Sequence, residues 1–167
     1  MPIDTTTTYA AAPDRVLAAL TDEAFLREVA SALEAQVQEV SSRTEGPGTT
    51  TVVRLTAPTT GIPPVFARFV GSTVPVTERT TWSPDGDGGY RGALDLRAEI
   101  LGRQAVVTCE RRLTPAPGGG TRATVTGDAK VDAPFIGRQA EGAVRDLVTQ
   151  VVLRREHEVL QRRLGED

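Results

Sequence analysis

The feature that most constrains this chain is the order of its hydrophobic patterns: short alternating segments from about Ala35 to Val131, then one helical repeat from Phe135 to Leu164. Alternation puts successive side chains on opposite faces of a strand. In the last segment Ala140, Val144, Leu147, Val148, Val151 and Val152 recur at three and four, which is the stripe of a helix laid on a sheet. A run of strands followed by one long helix predicts an α+β domain whose curved antiparallel sheet packs around the closing helix. Such a sheet tends to enclose a pocket.

Punctuation within the run fixes the elements. A first strand is expected from Ile3 to Tyr9, and Pro13 opens a short helix carrying Val16, Leu17 and Leu20. Thr21 or Asp22 can cap a second short helix with Phe25, Leu26 and Val29. Turn signals at Glu45 to Gly48, Ser83 to Gly89, Gly102 and Pro115 to Gly120 separate six further strands, near 35–43, 49–57, 73–82, 89–98, 103–113 and 121–131. Gly127 is expected to mark a bulge. Pro58 to Gly71 interrupts the pattern and reads as a short helix begun by Pro63 and Pro64, with Val65, Phe66, Phe69 and Val70 as a candidate lid or membrane-touching surface. A turn that plugs the core is the structural alternative.

The 167 residues fit one domain, 1–167, without a long linker or repeat. A net charge of -3 without a clustered basic face speaks against a nucleic-acid partner. The start MPIDTTTT lacks a basic region and an apolar core, and no run of about 18 apolar residues could span a bilayer. A soluble, cytoplasmic protein is expected, with peripheral membrane contact left open. Cys109 is the only cysteine and His157 the only histidine, so neither a disulfide, a cysteine-rich metal cluster nor a multi-histidine zinc site is available. No metal and no cofactor are expected. DGDGG at Asp85 to Gly89 fails as a calcium loop, because Gly89, Tyr90 and Leu96 stand where an oxygen ligand, a glycine and a glutamate are needed. A tight hairpin explains the glycines.

This order of elements, together with the opening stretch from Tyr9 to Leu26 bearing Pro13, Val16, Leu20 and Asp22, resembles the START-like superfamily, also called SRPBCC or helix-grip. The VPVTERTTW stretch ending at Trp82 and the segment Val131 to Val148 resemble an uncharacterised actinobacterial branch of it. The resemblance implies a seven-stranded sheet and a hydrophobic cavity between sheet and closing helix. Members use that cavity for lipid transfer, ligand sensing, polyketide aromatisation or cyclisation, or co-chaperone work. No catalytic motif of the superfamily is matched here.

Alternation assigns inward faces to Val74, Val76, Glu78, Thr80 and Trp82, to Tyr90, Gly92, Leu94 and Leu96, and to Ala105, Val107, Cys109, Arg111 and Leu113. Pairing across short turns would set Trp82 opposite Tyr90, Tyr90 opposite Arg111 and Arg111 opposite Ala123. Glu78, Trp82, Tyr90, Leu94, Val107 and Arg111 then line the pocket from the sheet, and Val144, Leu147, Val148 and Val151 from the helix. Arg111, with the polar tips of Trp82 and Tyr90, is a candidate anchor for an anionic head group, since a buried guanidinium is costly unless it meets a carboxylate or phosphate. Glu78 is the best acid or base candidate, but no second catalytic group shares its row.

The expected function is binding or carrying a small hydrophobic or amphipathic molecule, without catalysis. An enzyme of the polyketide cyclase or aromatase type in the same cavity is the alternative. A third reading is a protein-interaction module, because Leu153, Leu160 and Leu164 lie opposite the Val144 stripe while Arg155, Glu158 and Arg162 continue that stripe with charge. The chain would then be a monomer or a homodimer.

Overall fold

A computed structural model describes residues 1–59, 71–100, 102–133 and 137–165. The elements run β1 (Pro2–Tyr9), α1 (Pro13–Leu20), α2 (Glu23–Ala32), β2 (Gln36–Glu45), β3 (Gly48–Pro58), β4 (Thr73–Pro84), β5 (Tyr90–Ile100), β6 (Arg103–Pro115), β7 (Thr121–Val131), α3 (Gly137–Leu147) and α4 (Leu153–Gly165). One turn of π-helix, Val148–Val152, joins α3 to α4. The candidate lid of Val65, Phe66, Phe69 and Val70 lies outside the described residues, as does Phe135.

Seven strands form one antiparallel sheet in the order β1, β7, β6, β5, β4, β3, β2. Pro13 begins α1, where a missing N–H costs nothing, and the Asp22 carboxylate caps α2 by accepting the Ala24 N–H. Both short helices and the closing helix cover one face of the sheet. This is the helix-grip arrangement expected from the sequence.

The strands extend one or two residues further than expected at several ends, and this changes their register. At the β4–β5 hairpin, Asp85 accepts the N–H groups of Asp87 and Gly89 and donates its own to the Gly89 carbonyl. Pairing therefore continues to Pro84 opposite Tyr90, which sets Trp82 opposite Gly92, Tyr90 opposite Leu113 and Arg111 opposite Val125. The faces are as expected and the partners are displaced by two residues.

Gly127 marks no bulge. It pairs in unbroken register with Cys109 and Ile3. A Cβ there would stand 2.1 Å from the Thr108 carbonyl oxygen and 2.7 Å from Cys109 Sγ, so the bare backbone permits a close approach between strands. The register slips instead in β2, between Val37 and Glu39.

Two packed clusters hold the layers together. One joins Val16, Leu20, Phe25, Trp82, Leu113 and Leu160 beneath the short helices, and the other joins Ile3, Leu94, Val107, Cys109, Val125 and Val148. Leu160 is fully buried and Leu164 packs beside it, so these leucines cover the helical elbow.

Candidate functional site

Between the sheet, α2 and the closing helix lies a cavity of about 180 Å³. The sheet contributes Val53, Val76, Leu96 and Ala105, α2 contributes Phe25 and Val29, and the closing helix contributes Val144, Leu147, Val148 and Val152. Two carboxylates, Glu78 from β4 and Glu156 from α4, interrupt this apolar wall. A larger depression of about 520 Å³ sits between α1, α2 and the end of α4, but it is an open crevice whose Asp22, Glu28 and Arg163 pair with one another.

The charged residues next to the cavity form a graded set. Arg111, only 7% exposed, turns its guanidinium toward the closing helix and donates both terminal nitrogens to Glu156, with Nη1 to Oε2 at 3.1 Å. Its Cζ also lies 5.4 Å from the centre of the Trp82 ring. Gly92 makes that stacking possible, because a Cβ there would meet three Trp82 ring carbons at 2.8–2.9 Å. Burial alone would weaken the Arg111 charge, but the Glu156 carboxylate outweighs it and holds the guanidinium protonated.

Glu78 occupies the row of Val53, Leu96, Val107 and Ala129, all apolar. Its accessible surface borders the cavity. Burial and then the Glu156 charge push its carboxyl up from 4.5 to about 7, against smaller opposing effects of Arg111 and the Thr80 hydroxyl. The Thr80 hydroxyl has no aligned partner, and it is the one described buried side-chain polar atom left without a hydrogen bond. Glu78 thus holds its proton well above the usual carboxylate range.

On the far side of the ion pair, His157 Nδ1 lies 3.0 Å from Tyr9 Oη, the two rings 5.2 Å apart. Burial and the nearby Glu156 charge push the Tyr9 phenol up to about 12. His157 is therefore half-buried against β1. Cys109 stays within the second apolar cluster, and burial raises its thiol. Neither is placed as a nucleophile.

Of the residues expected to line the pocket, Glu78, Val144, Leu147 and Val148 do so. Leu94 and Val107 face inward but are consumed by close packing in the core. Trp82 is buried under the helical elbow and over Gly92. Tyr90, at the start of β5, donates to Asp14 of α1 at 2.5 Å. Arg111 borders a separate small cleft of about 30 Å³ and spends its fork on Glu156, so it cannot serve as an open anchor for an anion. Val151 is 38% exposed, rotated outward by the π turn.

Glu156, Val152 and the α2 side chains were missed as cavity residues. The signal for α2 was its amphipathic spacing of Phe25 and Val29. For Glu156 it was the spacing 148, 152, 156, which an uninterrupted α-helix would carry off the sheet face. In the π turn the Leu153 N–H reaches back five residues to the Val148 carbonyl, so the inward face passes to Val152, Glu156, Val159 and Leu160. Thr149, whose hydroxyl donates to the Arg145 carbonyl at 2.9 Å, sits within that widened turn.

Among the described residues there is no group of three or more metal-ligating side chains, and no helix is long and apolar enough to cross a membrane. No curated protein matches the chain at a significant level. Among solved structures it is similar to a protein from Thermus thermophilus, at 19% identity over 99% of this chain and 98% of that one, with a TM-score of 0.61. It is also similar to the Zhui aromatase/cyclase from a Streptomyces species (20% identity, 96% and 91% covered, TM-score 0.59). A third likeness is to a STAR-related lipid transfer protein from Xanthomonas axonopodis (15% identity, 95% and 84% covered, TM-score 0.60). At these identities the likeness is one of fold, the helix-grip arrangement. The family model described as "Protein of unknown function (DUF2505)" matches residues 4–164, and the chain belongs to that family.

Proposed function

We propose that the chain binds or carries a small, mostly apolar molecule with one polar group, held between the sheet and the closing helix. The observation that carries this reading is the cavity of about 180 Å³, walled by apolar side chains and broken, among the described residues, only by Glu78 and Glu156. Its size exceeds the roughly 150 Å³ that suffices to hold a benzene ring in a protein core. Left empty, it would cost about 4 kcal/mol at roughly 24 cal/mol per Å³, a large share of the ~5 to 15 kcal/mol of a typical domain. Occupancy by a ligand recovers that loss. The Xanthomonas protein of the same fold is named for lipid transfer, which supports a carrier role without assigning the ligand.

A second reading has its own observation. Glu78, held up at about 7, is suited to donate or accept a proton from a molecule in the cavity, and one Streptomyces protein of this fold is an aromatase/cyclase. The carrier reading is preferred because the row of Glu78 offers no second proton-transfer group.

Native and denaturing mass spectrometry of gently purified protein, followed by solvent extraction, tests the carrier. Excess native mass that resolves to an unchanged small molecule on denaturation is the expected result. A native mass equal to the bare chain, together with no binding when small apolar compounds are supplied at millimolar concentration, would refute it. Conversion of such a compound, abolished by Glu78→Gln, would establish the enzyme instead.

A further inference from the structure

We propose that the polar end of the cavity selects a primary amine, so that the ligand is a small apolar body carrying an ammonium group that Glu78 receives, with Glu156 beside it. This rests on the cavity-binding reading above. Among the described residues, both polar side chains that line the cavity are carboxylates. The neighbouring guanidinium, Arg111, is turned away and held by both oxygens of Glu156. Glu78, by contrast, makes no ion pair among the described residues, and the buried Thr80 hydroxyl two residues along the same face favours its charged form without an aligned hydrogen bond.

Charge bookkeeping favours a cation here. With Glu78 ionised, the set of Glu78, Glu156 and Arg111 carries one net negative charge in a low-dielectric setting, and an ammonium brings it to zero. A carboxylate ligand would add a second negative charge against Glu156, while the one described guanidinium nearby, Arg111, is already engaged. An alcohol could donate one hydrogen bond to Glu78 without relieving the charge. The groups that act on Glu78 are Glu156 from α4, Arg111 and Cys109 from β6 and the Thr80 hydroxyl from β4 itself; the facing side chains of β3, β5 and α2 are apolar. When the amine binds below the range in which Glu78 ionises by itself, the Glu78 proton must leave to bulk buffer.

Benzylamine, benzyl alcohol and benzoate, matched in size to the cavity, separate the possibilities by calorimetric titration of the full chain at about pH 8. Benzylamine should bind at least about tenfold more tightly than benzoate, and Glu78→Gln should weaken benzylamine about tenfold while changing benzyl alcohol by less than about twofold. Proton release, read from the dependence of the enthalpy on buffer at about pH 6, provides a measurement on the native sequence that does not depend on the variant folding. Benzoate binding as well as or better than benzylamine, or benzylamine binding at about pH 6 without proton release, would overturn the amine while leaving the cavity reading intact. Binding by none of the three would overturn both.

Discussion

Replacing Glu78 by Gln tests whether the cavity carboxyl is held in its neutral form. Burial and the Glu156 charge raise it from 4.5 to about 7. Between those values the folded chain keeps a proton that the unfolded chain has released, so stability falls as pH rises through the interval and levels off above it. An interval of about 2.5 pH units, at about 1.36 kcal/mol each, makes the loss about 3 kcal/mol. This is a ceiling, because the cavity face of Glu78 keeps some contact with water. Gln preserves the shape and removes the titration, so the native chain and Glu78→Gln should be nearly equal in stability at about pH 4 and differ by up to about 3 kcal/mol, in favour of Gln, at about pH 8. Urea unfolding followed by Trp82 fluorescence reads this directly: with a slope of about 2 kcal/mol per molar, the gap in midpoint at the higher pH should approach about 1.5 M. Two stability curves that run parallel across the whole range would refute the reasoning.

Three other perturbations follow from the same geometry. Arg111→Met leaves Glu156 without its partner in a nearly dry site and should cost about 3 to 5 kcal/mol, whereas the double change Arg111→Met with Glu156→Leu should recover most of it; a single variant within about 1 kcal/mol of the native chain in urea would refute the pairing. Gly92→Ala puts a methyl group into the Trp82 ring and should cost about 1 to 3 kcal/mol with a red shift in the emission of the sole tryptophan; an unchanged spectrum would refute the close contact. Leu160→Ser, at a fully buried position, should lower stability by about 3 to 5 kcal/mol and leave native mass unchanged, while a changed mass at unchanged stability would move Leu160 to an interface.

The fold was legible because its signals are local. Pro13, Asp22, the hairpin glycines and the alternation of apolar residues each act within a few positions, and each places an element within about two residues of where it lies. Face assignment succeeded for the same reason. Register did not, since two extra residues of pairing at Pro84 depend on how Asp85 closes its own hairpin, and that closure moves Trp82 from Tyr90 to Gly92 without changing its face. The site was legible in part from both sides, through Glu78 on the sheet and the stripe of Val144, Leu147 and Val148 on the helix. Glu78 follows from alternation, but the partner of Arg111 is 45 residues away on the closing helix, and no pattern within β6 names it.

The π turn explains why an exposed valine and a buried glutamate belong to one design. Were the helix α throughout, the stripe of Val144, Leu147 and Val148 would continue through Val151 to Arg155 and Glu158, setting charge of both signs against the sheet. The extra residue in Val148–Val152 instead releases Val151 to solvent and brings Glu156 over Arg111. Beyond it, Val159 and Leu160 reach the elbow of α1 and α2. Any gain from that core contact comes with a carboxylate lowered beside the cavity, and the guanidinium of Arg111 offsets the desolvation. What remains unneutralised is Glu78. Its burial is unfavourable for the empty chain when ionised and becomes favourable only when a hydrogen-bond donor or a cation enters, so the same residue that weakens the unliganded fold at high pH is the one that would reward a ligand for filling it.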